Sequence, residues 1–137
     1  MKHWLVILLV AIVALLAVPA SFAAQNAVTN APVPKYDAKA EATFKGTVVE
    51  VRDRICPVSG GMGNHLILKQ SDGSTIEVHL ASTKFVKNYD FNFRKGDVVE
   101  VVGNKVVFEG VDTIFAREVR RGQDEFIFRD KNGKPIW

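Results

Sequence analysis

Apolar residues fill every position from Trp4 to Val18, behind Lys2 and His3, and the run closes on Pro19 and Ala20-Ser21-Phe22-Ala23. A basic start, an apolar centre and small residues at Ser21 and Ala23 predict a secretory signal peptide over residues 1–23. At about 15 residues the run falls short of the roughly 20 that a spanning helix needs, so contact with a membrane follows only if the leader is kept as an anchor. Residues 24–40 are small and polar, broken by Pro32 and Pro34, and read as a linker. From Thr43 onward the pattern becomes short β-branched runs separated by turn residues. Phe44–Arg52 is the first predicted strand. Phe44, Gly46 and Val48 share one face while Val49 and Val51 point to the other, a switch that predicts a bulge in a strand serving both sides of a small barrel.

His65–Lys69 is the second predicted strand, Ser71–Ser74 a hairpin turn, and Thr75–Leu80 a third strand of clean alternation. Ile76, Val78 and Leu80 are expected inward and Thr75, Glu77 and His79 outward. The period then changes over Ser82–Asn88, which predicts a short helix capped by Ser82. Strand pattern resumes over Gly96–Gly103. Gly103-Asn104 is expected to bend the chain towards Val106–Phe108, with further strands at Asp112–Val119 and Phe126–Phe128. Three strands, a helix and two strands is the order of an OB-fold-like Greek-key barrel. The expected class is therefore all-β, one domain over residues 41–137 with one short helix. The ending, Lys131–Trp137, is expected to fold back so that Trp137 caps the barrel.

Charge narrows the choice of partner. Lys and Arg number 18 against 15 Asp and Glu, and loss of Lys2 with the leader leaves the remainder at +2. Signs are interleaved, as in Glu50-Val-Arg-Asp-Arg54, which describes a solvated surface and not a phosphate-tracking stripe. The expected outer face of the second and third strands carries no Phe, Tyr or Trp on which a base would stack, which argues against nucleic acid. One cysteine, Cys56, excludes a disulfide within the chain.

Several stretches carry a resemblance. Gly46-Thr-Val-Val-Glu-Val51, Ile76-Glu-Val-His-Leu80, Gly96-Asp-Val-Val-Glu-Val-Val-Gly103, Ile114–Val119 and Phe128–Trp137 resemble small exported bacterial OB-like proteins. Among these the chain is similar to the domain shared by magnetosome proteins S and X and their relatives, over residues 43–137. The resemblance implies a fold and brings no catalytic residues with it. Members that bind haem do so through Cys-x-x-Cys-His, which this chain lacks, so haem is not implied.

The most chemically loaded stretch is Cys56-Pro-Val-Ser-Gly-Gly-Met-Gly-Asn-His65, read as a glycine-rich loop. Counting back through the Ser71–Ser74 turn places Ile67 near Glu77 and His65 near His79, so both histidines point to one face. Thiol, thioether and imidazole suit copper, which makes Cys56, Met62, His65 and His79 the candidate metal ligands. The same face offers His65, Lys69, Glu77 and His79 as a candidate surface for a small ligand. Ser59 shares the loop with His65, and Glu77 lies near, but no Gly-x-Ser-x-Gly elbow or paired carboxylates support catalysis. The expected function is a non-enzymatic periplasmic or secreted binding module acting on an envelope protein or small ligand. The alternatives are a copper-binding protein and a tethered subunit of an envelope redox assembly.

Overall fold

The computed structural model describes residues 32–137, so the leader and the first part of the linker lie outside the described residues. Six strands follow in order: β1 Glu41–Cys56, β2 Gly61–Lys69, β3 Thr75–Ser82, β4 Val98–Phe108, β5 Val111–Arg121 and β6 Asp124–Ile127. The one α-helix among these residues, α1 Thr83–Asn88, sits between β3 and β4. Neighbours run β3-β2-β1-β4-β5-β6, and a parallel pairing of β3 with β5 closes the first five into a ring. The fold is a small all-β barrel, as its alternation predicts. No described helix is long and apolar enough to cross a membrane.

β1 serves two partners. Its first half pairs with β4 from Glu41↔Asn104 to Thr47↔Val98, and its second half pairs with β2 from Thr47↔Lys69 to Cys56↔Gly61. The register shifts between Val48 and Glu50, where the apolar parity changes face. A bulge there adds the coil that lets one strand cross from one partner to the other. β4 departs from expectation: it runs unbroken through Gly103-Asn104 to Phe108. Gly103 is needed for close approach, since a Cβ there would collide with the Phe115 carbonyl of β5. A bulge between Val102 and Gly103 coils the strand beside the expected bend.

The barrel core is built from Val48, Leu66, Leu68, Ile76, Val78, Leu80, Val99, Val101, Ile114 and Val119. Full burial of each such side chain is worth about 1.5–3 kcal/mol. Ser82 caps α1 by accepting a hydrogen bond from the Phe85 N–H at 3.3 Å, as its position predicts. A cluster of aromatic rings fills the space beside the helix: Phe91 and Phe126 lie 5.0 Å apart, Phe93 and Phe126 4.8 Å. Phe128 behind them is fully buried.

A second, smaller cluster of Cys56, Phe108 and Phe115 forms outside the barrel wall, with Tyr36, Val58 and Val106 packed on it. Packing onto the barrel begins at Tyr36, within the stretch read as linker: its hydroxyl donates to Glu41 at 2.6 Å and its ring lies under the Arg129 guanidinium. The final segment turns at Asp130–Gly133 and brings Trp137 to within 5.6 Å of the His79 ring. Trp137 therefore folds back onto His79 of β3 and packs against the main core cluster.

Candidate functional site

The loop expected between Cys56 and His65 is mostly ladder. β1 continues to Cys56 and β2 begins at Gly61, paired Ile55↔Met62 and Arg54↔Gly63. Only Pro57–Ser59, a single 3-10 turn, and Gly60 connect them. Strand pairing satisfies the backbone groups that a loose glycine loop would leave to water. The result is a tight hairpin that holds Cys56 and Ser59 rigidly over β2.

The predicted register holds at the next hairpin: His65 pairs with His79 and Ile67 with Glu77. The two imidazoles meet edge to face with ring centroids 4.8 Å apart. One expectation fails at this point. The alternation predicts outward histidines on an open face, yet His65 is 0% and His79 1% exposed. The outer side of β3 and β5 is covered by the second cluster, with Phe115 5.9 Å from His79 on one side and Trp137 on another. Thr113, Ile114, Phe115 and Ala116 on β5 are all buried, so both faces of the wall are covered here.

Cys56, His65 and His79 form one cluster whose ligand-type atoms all lie within 4.8 Å of one another, and all three residues are buried. Ser59 Oγ lies 2.8 Å from His79 Nε2. Gly63 makes the cradle: a Cβ there would meet Ser59 Oγ at 2.7 Å, His65 Nε2 at 3.0 Å and the Cys56 Cβ at 3.1 Å. Behind His65, Nδ1 lies 2.7 Å from Glu77 Oε1, close enough for strong electrostatic attraction. Arg54 Nε donates to the same oxygen at 2.9 Å, and its Nη1 donates to Glu109 at 2.9 Å.

Electrostatics sorts the groups. Burial pushes the Glu77 carboxyl up, but the His65 and Arg54 contacts outweigh it and hold the pKa at about 2. Glu77 is thus a fixed anion. Burial drives His79 well below its ordinary range, reinforced by the positive fields of His65, Arg129 and Arg54, so its imidazole is neutral at pH 7. Burial raises the Cys56 thiol against the opposing pull of the Val58 and Ser59 backbone and Arg54. His65 Nε2 and His79 Nδ1 are buried with no hydrogen-bond partner among the described residues. A buried polar group left in that state costs about 1–3 kcal/mol.

Of the predicted metal ligands, then, three converge and one does not. Met62 is 47% exposed, while its neighbour Gly63 faces the cluster; successive strand residues point to opposite faces, so Met62 looks away. Of the predicted ligand-binding face, Glu77 serves as the anion behind His65 and both histidines are sealed from solvent. Lys69 is exposed at the far end of β2, opposite Thr47 and Thr75, and does not reach the cluster. Ser59 was paired in sequence with His65, but the hairpin hands it to His79. Sequence reading missed Arg54, Gly63 and Arg129. The Gly60-Gly-Met-Gly63 spacing was the available signal for Gly63; nothing local marks the two arginines.

Arg129 closes one side of the site. It is 5% exposed, and its guanidinium lies 5.1 Å from the Tyr36 ring, 5.7 Å from Phe115 and 5.8 Å from Trp137. It donates to the Gly133 carbonyl at 2.9 Å, and burial lowers its pKa from the ordinary arginine value.

Fold and cluster together define a small β-barrel protein with a buried cysteine–histidine site built onto its outer wall. The chain belongs to the MamS/MamX magnetosome protein family, whose pattern matches residues 40–126. That stretch contains Cys56, His65 and His79 and stops short of Arg129 and Trp137. No curated protein matches the chain.

Proposed function

We propose that this chain is an exported, metal-binding accessory protein of the cell envelope, holding one soft or borderline metal ion between Cys56 Sγ, His65 and His79. The observation that carries this reading is the buried cluster of three donors within 4.8 Å of one another, with His65 Nε2 left unpartnered. Two metal–ligand bonds of about 2.0–2.3 Å span up to roughly 4.6 Å, so small side-chain rotations close the three donors on one ion. The Glu77 contact supplies the carboxylate that commonly orients a ligating histidine from behind. Metal binding would release the Cys56 proton, because thiolate and not thiol is the ligand.

The ring order β1-β2-β3-β5-β4, with a helix between β3 and β4, supports an OB-type barrel as the scaffold. The leader pattern of residues 1–23 supports export, which predicts a mature N-terminus at or beside Ala24, read by mass spectrometry of protein from its natural host. The functional test is a titration of reduced protein with Cu(I), and separately with Zn(II), against glutathione as competitor. About one equivalent bound in the presence of glutathione is expected, with clear weakening in His65→Ala and His79→Ala. If glutathione strips the metal and both histidine variants behave like the parent, the reading fails and function lies on the barrel surface.

A further inference from the structure

We infer that the ion is copper and that it is redox-active: Cys56 thiolate with His65 and His79 forms a trigonal His2Cys site that cycles between Cu(I) and Cu(II). This rests on the metal-binding reading above and adds to it a choice of metal and an activity, one-electron transfer.

The donor count separates copper from zinc. Structural zinc wants four strong ligands, and catalytic zinc wants three plus an open position for water. Among the described residues the cluster holds three strong donors, and no fourth thiolate, imidazole or free carboxylate joins them. Glu77 is occupied behind His65 by Arg54. Nor is there an open position, since Cys56 and His65 are 0% and His79 1% exposed and the Gly63 cradle has no space for one added carbon. Beside the three donors lies Ser59 Oγ, a neutral hydroxyl held 2.8 Å from His79 Nε2. Three strong donors with one weak oxygen is the set that thiolate–copper electron-transfer sites use.

Rigidity points the same way. Cys56 ends β1, His65 and His79 face each other across paired strands, and Ser59 sits in the four-residue connection between β1 and β2. Strand pairing fixes the backbones that carry the donors, and the sealed packing leaves their side chains only small rotations, which opposes rearrangement towards the square-planar geometry that Cu(II) prefers or the linear one that suits Cu(I). The same geometry then serves both oxidation states, and electron transfer needs little reorganisation. The Trp137 ring lies 5.6 Å from His79 and is itself partly exposed, so one ligand sits a single side chain from the surface.

The step balances simply. Cu(II) takes one electron from a reduced one-electron carrier and becomes Cu(I), then returns it to an oxidised carrier. Thiolate and both imidazoles remain bound throughout, so no proton moves and no bond to the protein breaks.

The test loads reduced protein with Cu(I), oxidises it with ferricyanide and re-reduces it with ascorbate. An intense visible thiolate-to-copper charge-transfer band is expected on oxidation, with narrow copper hyperfine splitting by electron paramagnetic resonance, both reversed by ascorbate. Cys56→Ser should abolish the band, and Ser59→Ala should keep it while shifting the reduction potential. Copper that binds at one equivalent but gives an ordinary square-planar Cu(II) spectrum, or leaves on oxidation, overturns this inference and leaves the metal-binding reading standing. Failure to hold either Cu(I) or Zn(II) against glutathione overturns both.

Discussion

Replacing Gly63 with Ala tests whether the cluster is as closed as its distances indicate. The new Cβ would lie 2.7 Å from Ser59 Oγ, 3.0 Å from His65 Nε2 and 3.1 Å from the Cys56 Cβ. Ser59 can rotate away, but only by leaving His79, which is then a buried imidazole with one contact fewer; that costs about 1–3 kcal/mol. His65 and Cys56 must each yield by a few tenths of an ångström, and both are held by strand pairing, so overpacking adds about 1–3 kcal/mol. The sum, about 2–6 kcal/mol, is a large part of the 5–15 kcal/mol that typically stabilises a domain. Gly61→Ala is the matched control, two residues away on the same strand, where an added Cβ meets nothing within 4 Å. Urea unfolding should show a lower midpoint with unchanged slope for Gly63→Ala and a midpoint near the parent's for Gly61→Ala. Metal affinity should fall at least tenfold in the first variant and hold in the second. Equal behaviour of the two variants in both assays would refute the closed cradle.

Two further outcomes follow from the same structure. Val78→Asp and Val101→Asp place a charge at fully buried positions and should largely unfold the barrel by circular dichroism, whereas Thr75→Asp on an exposed position should be mild. Glu77 is held at about 2 against an ordinary 4.5, so its contribution, up to about 3 kcal/mol, is present above pH 4.5 and lost as pH falls towards 2. His79, depressed by burial, adds a loss that sets in as pH drops below its ordinary 6.5. Unfolding midpoints measured from pH 7 to 2 should therefore decline in both windows, and Glu77→Gln should flatten the lower one only.

Local pattern was enough for the barrel wall. Alternation in Thr75–Leu80 placed Ile76, Val78 and Leu80 inward because a strand buried on one side must repeat every second residue. The short Ser71–Ser74 turn, with Gly73 at φ 85°, sets the register of its hairpin, and that register alone brings His65 opposite His79. The Val48/Val49 parity switch likewise located the bulge of β1, and Ser82 located the helix start. Burial of the histidines was not legible, because alternation reports that one face is apolar and is silent on what later segments lay over the other. The cover comes from Phe115 through the parallel closure of β3 on β5 and from Trp137, residues 36 and 58 positions beyond His79. Tertiary closure also decided the ligand set: pairing of β1 with β2 turned Gly63 towards the cluster and Met62 away from it, a choice that depends on strand parity and not on residue type. Sequence carried the donors and the turn that pairs two of them; only the folded wall removed them from water and made them a site.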